Sequence, residues 1–544
     1  MLEQDATTFH DPASALGKYF MDFLRMIPGR DIIMRYIASS YQNDPVRSLL
    51  ELLLLLFAIR TILQNRTSGG QSSSHFVNLS SKDIDYLVDD FRPEPLCEPL
   101  NKNEQRDLDE VPMIVGHPGP RVKISAPGLS GTQPRNMLNL ASYNFTGLVN
   151  APEMTAQAQR ILREYGVGSC SPPGFYGTSD MHMKLEKCIA DFLKKEGSIV
   201  YSQGFSTASG AVPAFCKRGD IIVADAGVSF AIHCALQLSR STIFWYEHNN
   251  YASLEAVLQR VHLQIKDKKP LRRQFILTEG LFENDGQIAN LPKVVELAKR
   301  FKFRVFLDET YSIGTLGKTG RGLTEYQNVN PDDVDFIIGN MAVAFGAAGG
   351  FVATTAFAVR HQRINGLSFV FSAAMPVMVA NGATTAMQLL TTQPQRMTNL
   401  QKNAKAIRKV LDRIDSIQIP SDGESALIHL SIRSKHQASG KSQSNHLQLA
   451  SKPDSKPELV PHDLSREEQQ ELLRKILLNA RNQGVMIVQE RRLRCLQSDP
   501  AFAEYIDRPS LRISVTSEMN DGEVAQAADT IRASIVSVLG ERRS

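Results

Sequence analysis

The residues best placed to do chemistry begin with Asp308, in the segment FRVFLDETYSIG at 303–314. A short apolar strand delivers this carboxylate at its C-terminal end, the place where open α/β sheets bind their ligands. There it can pair with a protonated pyridine nitrogen, or simply cap the turn that follows. The next strand, Val334–Ile338, leads into GNMAVAFGAAGG at 339–350. Two further segments have the right make-up for a site. Gly166–Gly177 is rich in glycine, which lets backbone approach a ligand closely; it contains Gly168, Cys170, Gly174, Phe175, Tyr176 and Gly177. A tight turn around a buried small thiol fits the same residues. Phe371–Pro376 (FSAAMP) offers the Ser372 hydroxyl for a ligand or for a helix cap.

The elements that must position these residues alternate between strand and helix patterns. Ser198–Ser202, Ile221–Ala224, Phe275–Thr278 and Val305–Leu307 are continuous apolar runs, suited to parallel strands covered on both faces. Helical periodicity fills the gaps, as in Met183–Lys194 and in Leu291–Phe301, where Pro292 sits in the first turn. This alternation predicts a doubly wound α/β domain with a parallel-rich sheet. Beyond it, Ser465 and Glu468 form a capping box that opens a helix Arg466–Gln483, which Gly484 ends. Strands Val485–Val488 and Leu511–Val515 and a helix near Glu523–Leu539 predict a smaller C-terminal α+β domain.

The stretch from Asp308 to Gly350 resembles the α-oxoamine synthases, a family of fold-type-I enzymes that use pyridoxal 5'-phosphate (PLP). That family has a D-x-x-H strand end and, about thirty residues on, a G-T-x-S-K-x-x-G segment whose lysine forms the Schiff base. Aligning Gly339 and Gly346 puts Val343 at the lysine position, and valine has no amine with which to form an imine. Tyr311 stands where the family has its histidine, and Ser229, four residues after Asp225, where it has a stacking histidine. Lys318, in GTLGKTGRG, is the alternative amine, and it falls outside the aligned segment. Within the family, Tyr165–Glu186, Lys217–Asp220 (KRGD), Leu238–Thr242 (LSRST), Phe371–Pro376, Phe91–Leu96 (FRPEPL) and Arg512–Val515 (RISV) resemble the long-chain-base subunit-one class of serine palmitoyltransferases, from about residue 46 onward. Pro173 departs from that class, which usually has arginine there.

The resemblance implies a non-catalytic subunit of an enzyme that condenses L-serine with palmitoyl-CoA to 3-oxosphinganine at the endoplasmic reticulum. It implies that PLP is held by a catalytic long-chain-base subunit two, with small regulatory subunits and Orm-type regulators as further partners. Asp308 is then a vestige of the cofactor site. Gly166–Gly177 and Ser372 are the segments expected to reach the partner's cofactor. Two alternatives stay open: a membrane-bound scaffold with no part in the active site, and a PLP enzyme using an atypical lysine.

The bulk numbers agree with a multidomain globular chain. Its 544 residues suggest about three domains, and 42 % hydrophobic with 22 % charged residues is an ordinary globular balance. The expected organisation is an anchor region at 1–90, an arm at 91–140, a large PLP-fold domain at 141–376 and a small domain at 377–544. A net charge of +4 gives no case for nucleic acid. Cys97, Cys170, Cys188, Cys216, Cys234 and Cys495 include no CxxC pair, so neither a metal site nor a disulfide framework is indicated. The apolar segment 46–63 carries Glu51 and Arg60. It is expected to be a membrane anchor, with a buried core helix as the other reading. Ala15–Met26 has an amphipathic pattern, and 434–458 reads as a disordered surface insertion rich in Ser, Lys, Gln and Pro. Asn65, Asn78 and Asn144 match the glycosylation pattern weakly.

Overall fold

The structure, a computed structural model, describes residues 44–68, 80–125, 135–265, 272–433, 464–490 and 508–540, with positions 32, 35, 39 and 42. Two compact units are present, 1–99 and 100–544. Ala15–Met26, the 434–458 insertion, Cys495, Asn78 and the Asn65 side chain lie outside the described residues.

The first unit holds the helix Pro45–Ser68 and the helix Ser81–Asp90, the latter opened by a capping box between Ser80 and Asp83. The membrane-anchor expectation for 46–63 is unsupported. No helix among the described residues is long and apolar enough to cross a membrane. Glu51 and Arg60 lie within the helix and leave only Leu52–Ile59 uninterrupted, well short of the roughly 20 residues a span requires. The core-helix reading fails too, because Leu49, Leu50 and Leu52–Leu56 are each more than half exposed.

In the second unit, β1 (Met113–Val115), β2 (Arg121–Ser125) and β3 (Arg135–Asn139) form an antiparallel arm. The main sheet follows with β4 (Gly197–Tyr201), β5 (Ile221–Asp225), β6 (Thr242–Tyr246), β7 (Gln274–Glu279), β8 (Arg304–Asp308), β9 (Phe336–Asn340) and β10 (Gly350–Thr354). Its order is β4-β10-β9-β8-β7-β5-β6. The ladders linking β6, β5, β7, β8 and β9 are parallel, whereas β10 runs antiparallel to both β9 and β4. Continuous apolar runs mark these strands because helices cover both faces: all five residues of β5 are buried. The helix Leu291–Phe301 shows why the local pattern was readable. The Asn290 side chain caps it through Lys293 N at 3.2 Å, Pro292 occupies its first turn, and it buries Leu291, Val294, Val295, Leu297, Ala298 and Phe301. Beneath the sheet, the rings of Phe306 and Phe336 stack at 4.3 Å.

The C-terminal part contributes β11 (Ile417–Gln418), β12 (Leu427–Ile432), β13 (Val485–Met486), β14 (Val488–Gln489) and β15 (Leu511–Ser514). The single strand expected at Val485–Val488 is two. β13 pairs in parallel with β3 of the arm, and β14 pairs antiparallel with β15. One chain segment therefore ties two sheets together, a division that no local apolar pattern encodes. The capping box of helix Arg466–Asn482 forms as expected, with Glu468 N donating to Ser465 Oγ at 3.2 Å and Ser465 N to Glu468 Oε2 at 2.8 Å.

Candidate functional site

The C-terminal ends of β5, β7, β8 and β9 bring Asp225, Glu279, Asp308 and Asn340 to one edge of the main sheet. A cleft of about 280 Å³ opens there, lined by Phe205, Ser229, Glu279, Asp308, Tyr311 and Asn340 among others. Asp308 accepts a hydrogen bond from Thr310 N at 2.7 Å, so it does cap the next turn as well as facing the cleft. Burial pushes its carboxyl up to about 6, with the charge of Glu283 adding to the effect. Glu279 stands beside it on the neighbouring strand. Burial first, and then the Asp308 charge, push Glu279 well above the usual carboxylate range. Two acids this close in a dry site cannot both ionise cheaply.

Ser229 is buried, and it orients Glu279 through its backbone N–H, which donates to Glu279 Oε1 at 2.6 Å. Tyr311 lines the cleft. Its hydroxyl donates to Glu283 Oε1, and its ring meets Tyr143 edge-on at 5.1 Å. Arg512 of β15 lies 4.2 Å above the Tyr143 ring, donates to the Tyr143 hydroxyl and faces Glu490 at 3.2 Å. Glu279, Glu283, Tyr143 and Glu490 were not singled out from the sequence, and Arg512 entered only as part of the RISV motif. Glu279 had a usable signal: it ends an apolar strand just as Asp308 does. The other four come from a turn, the loop after β3 and the small domain, and only folding brings them here.

Val343 is buried in the main apolar core and does not line the cleft. It lies in the short helix Met341–Phe345, closed by Gly346 at φ +60°. The flanking glycines serve packing: a Cβ on Gly339 would sit 2.2 Å from the Phe351 ring. No lysine lines the cleft among the described residues. Lys318 is exposed, in a loop held by Glu325, which accepts from Thr319 Oγ1 at 2.8 Å. The residues present therefore do not fit covalently held PLP. Asp308 keeps the acid that a pyridinium nitrogen needs, but the amine and the stacking ring are gone.

The two segments expected to act in trans meet each other. Ser169 Oγ donates to Ala374 O at 2.5 Å, Ala374 N donates to Ser171 O at 3.0 Å, and the hydroxyls of Ser202 and Ser372 lie 2.8 Å apart. Ser372 is thus tied to Ser202 and is not the cap of the helix Val377–Thr392, whose start has no side-chain cap. The glycines of the loop differ in purpose. A Cβ on Gly177 would lie 1.9 Å from Ser171 O, so the loop folds tightly on itself, whereas Gly168 and Gly174 face open space. Cys170 is exposed in this chain at φ +61°. Pro173 starts the short turn Pro173–Phe175. Phe175, Tyr176 and Phe371 are all more than half exposed on these segments.

The profile of the class I and II aminotransferases matches residues 135–531. Serine palmitoyltransferase 1 of Saccharomyces cerevisiae is 34 % identical over 541 residues, covering 97 % of this chain and 96 % of that one. The chain belongs to the serine palmitoyltransferase 1 family. Serine palmitoyltransferase 1 of Dictyostelium discoideum is 33 % identical across 84 % of this chain and 87 % of its own. Long chain base biosynthesis protein 1 of Arabidopsis thaliana is 37 % identical across 65 % and 71 %. A solved serine palmitoyltransferase with a PLP internal aldimine superposes with a TM-score of 0.66 at 21 % identity, over 84 % of this chain and 99 % of that one. This likeness bears on the fold, and it agrees with the fold-type-I architecture expected for the family. Asn144, the one glycosylation match with a described side chain, has a buried amide nitrogen, which suits packing and not modification.

Proposed function

We propose that this chain is the subunit of a serine palmitoyltransferase that carries no Schiff-base lysine and supports a catalytic partner across a shared interface. The assembled enzyme condenses L-serine with palmitoyl-CoA to 3-oxosphinganine. The observation that carries this reading is Val343, withdrawn into the apolar core behind a cleft that retains Asp308. A chain with an unused cleft and two exposed, mutually braced loops is built to complete another chain's site. The work of Gly166–Gly177 and Phe371–Pro376 in that reading is positioning and water exclusion at the partner's PLP, not bond making. Small regulatory subunits and Orm-type regulators complete the assembly. We place it at the endoplasmic reticulum membrane with the body facing the cytosol, because an acyl chain is concentrated in bilayers at about 0.8 kcal/mol per methylene.

The chain expressed alone is expected to show no Schiff-base absorbance and no borohydride-reducible PLP adduct. Co-expression with a lysine-bearing homologue is expected to yield both, together with condensation. An adduct on the isolated chain overturns the proposal.

A further inference from the structure

The N-terminal ends of β5, β6 and β7 meet at one corner of the main sheet, on the edge opposite Asp225, Glu279 and Asp308. Hydrogen bonds to backbone carbonyls weld the three turns there into one surface. Ile221 N donates to Arg273 O at 2.9 Å, Thr242 N to Asp220 O at 2.9 Å, and Ser241 Oγ to Lys217 O at 3.1 Å. Lys217, Arg218, Arg240, Arg272 and Arg273 lie on this surface, all exposed, with Arg273 Nη1 donating to Phe215 O at 2.6 Å. Asp220 is the carboxylate among them, and it is committed to backbone: it accepts from Lys217 N at 2.9 Å and from Arg273 N at 3.0 Å.

None of the five cations forms an ion pair among the described residues. The neighbouring strand end behaves differently. There Arg304 faces Asp335 at 3.6 Å, and on the preceding helix Lys299 holds Asp333 at 2.6 Å. Among the described residues, five cations against one carboxylate leave this corner with as much charge as the whole chain, whose net is +4. Two apolar side chains flank it: Leu238 is 58 % exposed and Leu263 75 %, near the ends of helices Phe230–Ser239 and Tyr251–Ile265 that return to this edge. Guanidinium groups recognise phosphate through paired donors. Clustered cations beside exposed leucines match a lipid headgroup layer over an acyl boundary better than a protein surface.

We propose that this corner docks on the anionic phosphate headgroups of a bilayer. The inference rests on the proposed function, in which substrate and product are membrane lipids. It would orient the body with the Asp308 edge of the sheet turned away from the surface.

The test uses the full chain copurified with its catalytic partner. Flotation is measured with vesicles of phosphatidylcholine alone and of phosphatidylcholine with phosphatidylserine, at low and high salt. Arg218→Glu with Arg272→Glu reverses two charges in the corner. Lys405→Glu with Lys409→Glu makes the same change on the exposed side of helix Gln395–Leu411. At about fivefold per basic residue lost, the corner variant should bind anionic vesicles at least roughly 25-fold more weakly. Binding to neutral vesicles should not change, high salt should erase the difference, and the control should match wild type. Equal losses in both variants, or wild-type binding by the corner variant, overturn the proposal. So does loss of partner copurification with vesicle binding intact, which assigns the corner to a protein. Vesicle binding as expected without condensation by the wild-type complex overturns the proposed function instead.

Discussion

His248 is the residue whose loss should do most damage to the cleft without touching its lining. Its Nδ1 lies 2.7 Å from Asp225 Oδ1 and its Nε2 2.9 Å from Asp285 Oδ2, and all three side chains are largely buried. Asp225 begins the turn that presents Ser229, and Asp285 ends the turn that presents Glu283 and Asn284, so the imidazole pins two walls of the cleft together. Burial alone disfavours its charged form. The two aspartates outweigh burial and hold its pKa well above the ordinary 6.5, while burial of Asp285 is outweighed by His248, which holds that carboxyl below its usual value. His248→Gln leaves two buried carboxylates without a cation. Gly227 N, Asn249 N and Gln287 N still donate to them, at 2.7, 2.9 and 3.0 Å. Breaking one partner of a buried pair costs about 3–5 kcal/mol. For the wild type, the histidine's raised pKa gives stability that is complete below about 6.5 and lost as pH rises through the folded value. The lowered pKa of Asp285 gives stability present above its unfolded value and lost as pH falls through the folded one. Urea unfolding from pH 5 to 10 should therefore show wild type losing its advantage over His248→Gln at the alkaline end. A variant within about 0.5 kcal/mol of wild type at pH 6 refutes the reasoning, as does a difference that grows with pH.

Two further outcomes follow from single residues. Gly177→Ala should displace the Gly166–Gly177 loop, because its Cβ meets backbone at 1.9 Å and not a flexible side-chain end. Loss of condensation by the copurified complex, with the large domain's melting little changed, is the expected result; full activity counts against a role for the loop. Glu309 is wholly buried, and burial pushes its carboxyl up to about 7 even though it accepts from Leu323 N at 2.8 Å. The folded chain thus holds that proton more tightly than the unfolded one, so stability falls as pH rises from about 4.5 to 7, by about 3 kcal/mol. Glu309→Gln should flatten that part of the urea profile, and an unchanged slope excludes Glu309 as its source.

Much of the fold was legible because the information is local. β5, β8 and helix Leu291–Phe301 announce themselves through unbroken apolar runs, a proline in the first turn and a capping asparagine. The anchor expectation at 46–63 finds no support in a helix long and apolar enough to cross a membrane among the described residues. Ser372 was ambiguous because a serine before a helix is a good cap in isolation, and only the fold supplies Ser202 as its partner. Arg512 was noticed as part of a motif, but its engagement with Tyr143 and Glu490 depends on the meeting of arm, sheet and small domain.

By itself the sequence determined what this chain lacks. A valine at 343 has no amine, whatever surrounds it, and no packing can restore one. It also determined which strand ends carry acids, since a carboxylate after an apolar run must emerge where the sheet stops. The tertiary structure decided the rest. It drew Val343 into the core, set Glu279 beside Asp308 so that the Asp308 charge raises the proton affinity of Glu279, and braced Gly166–Gly177 against Phe371–Pro376. It also gathered Lys217, Arg218, Arg240, Arg272 and Arg273 at one corner. The physical reason is distance along the chain. Each of these relations joins residues tens to hundreds of positions apart, and only the order of strands in the sheet says which of them become neighbours.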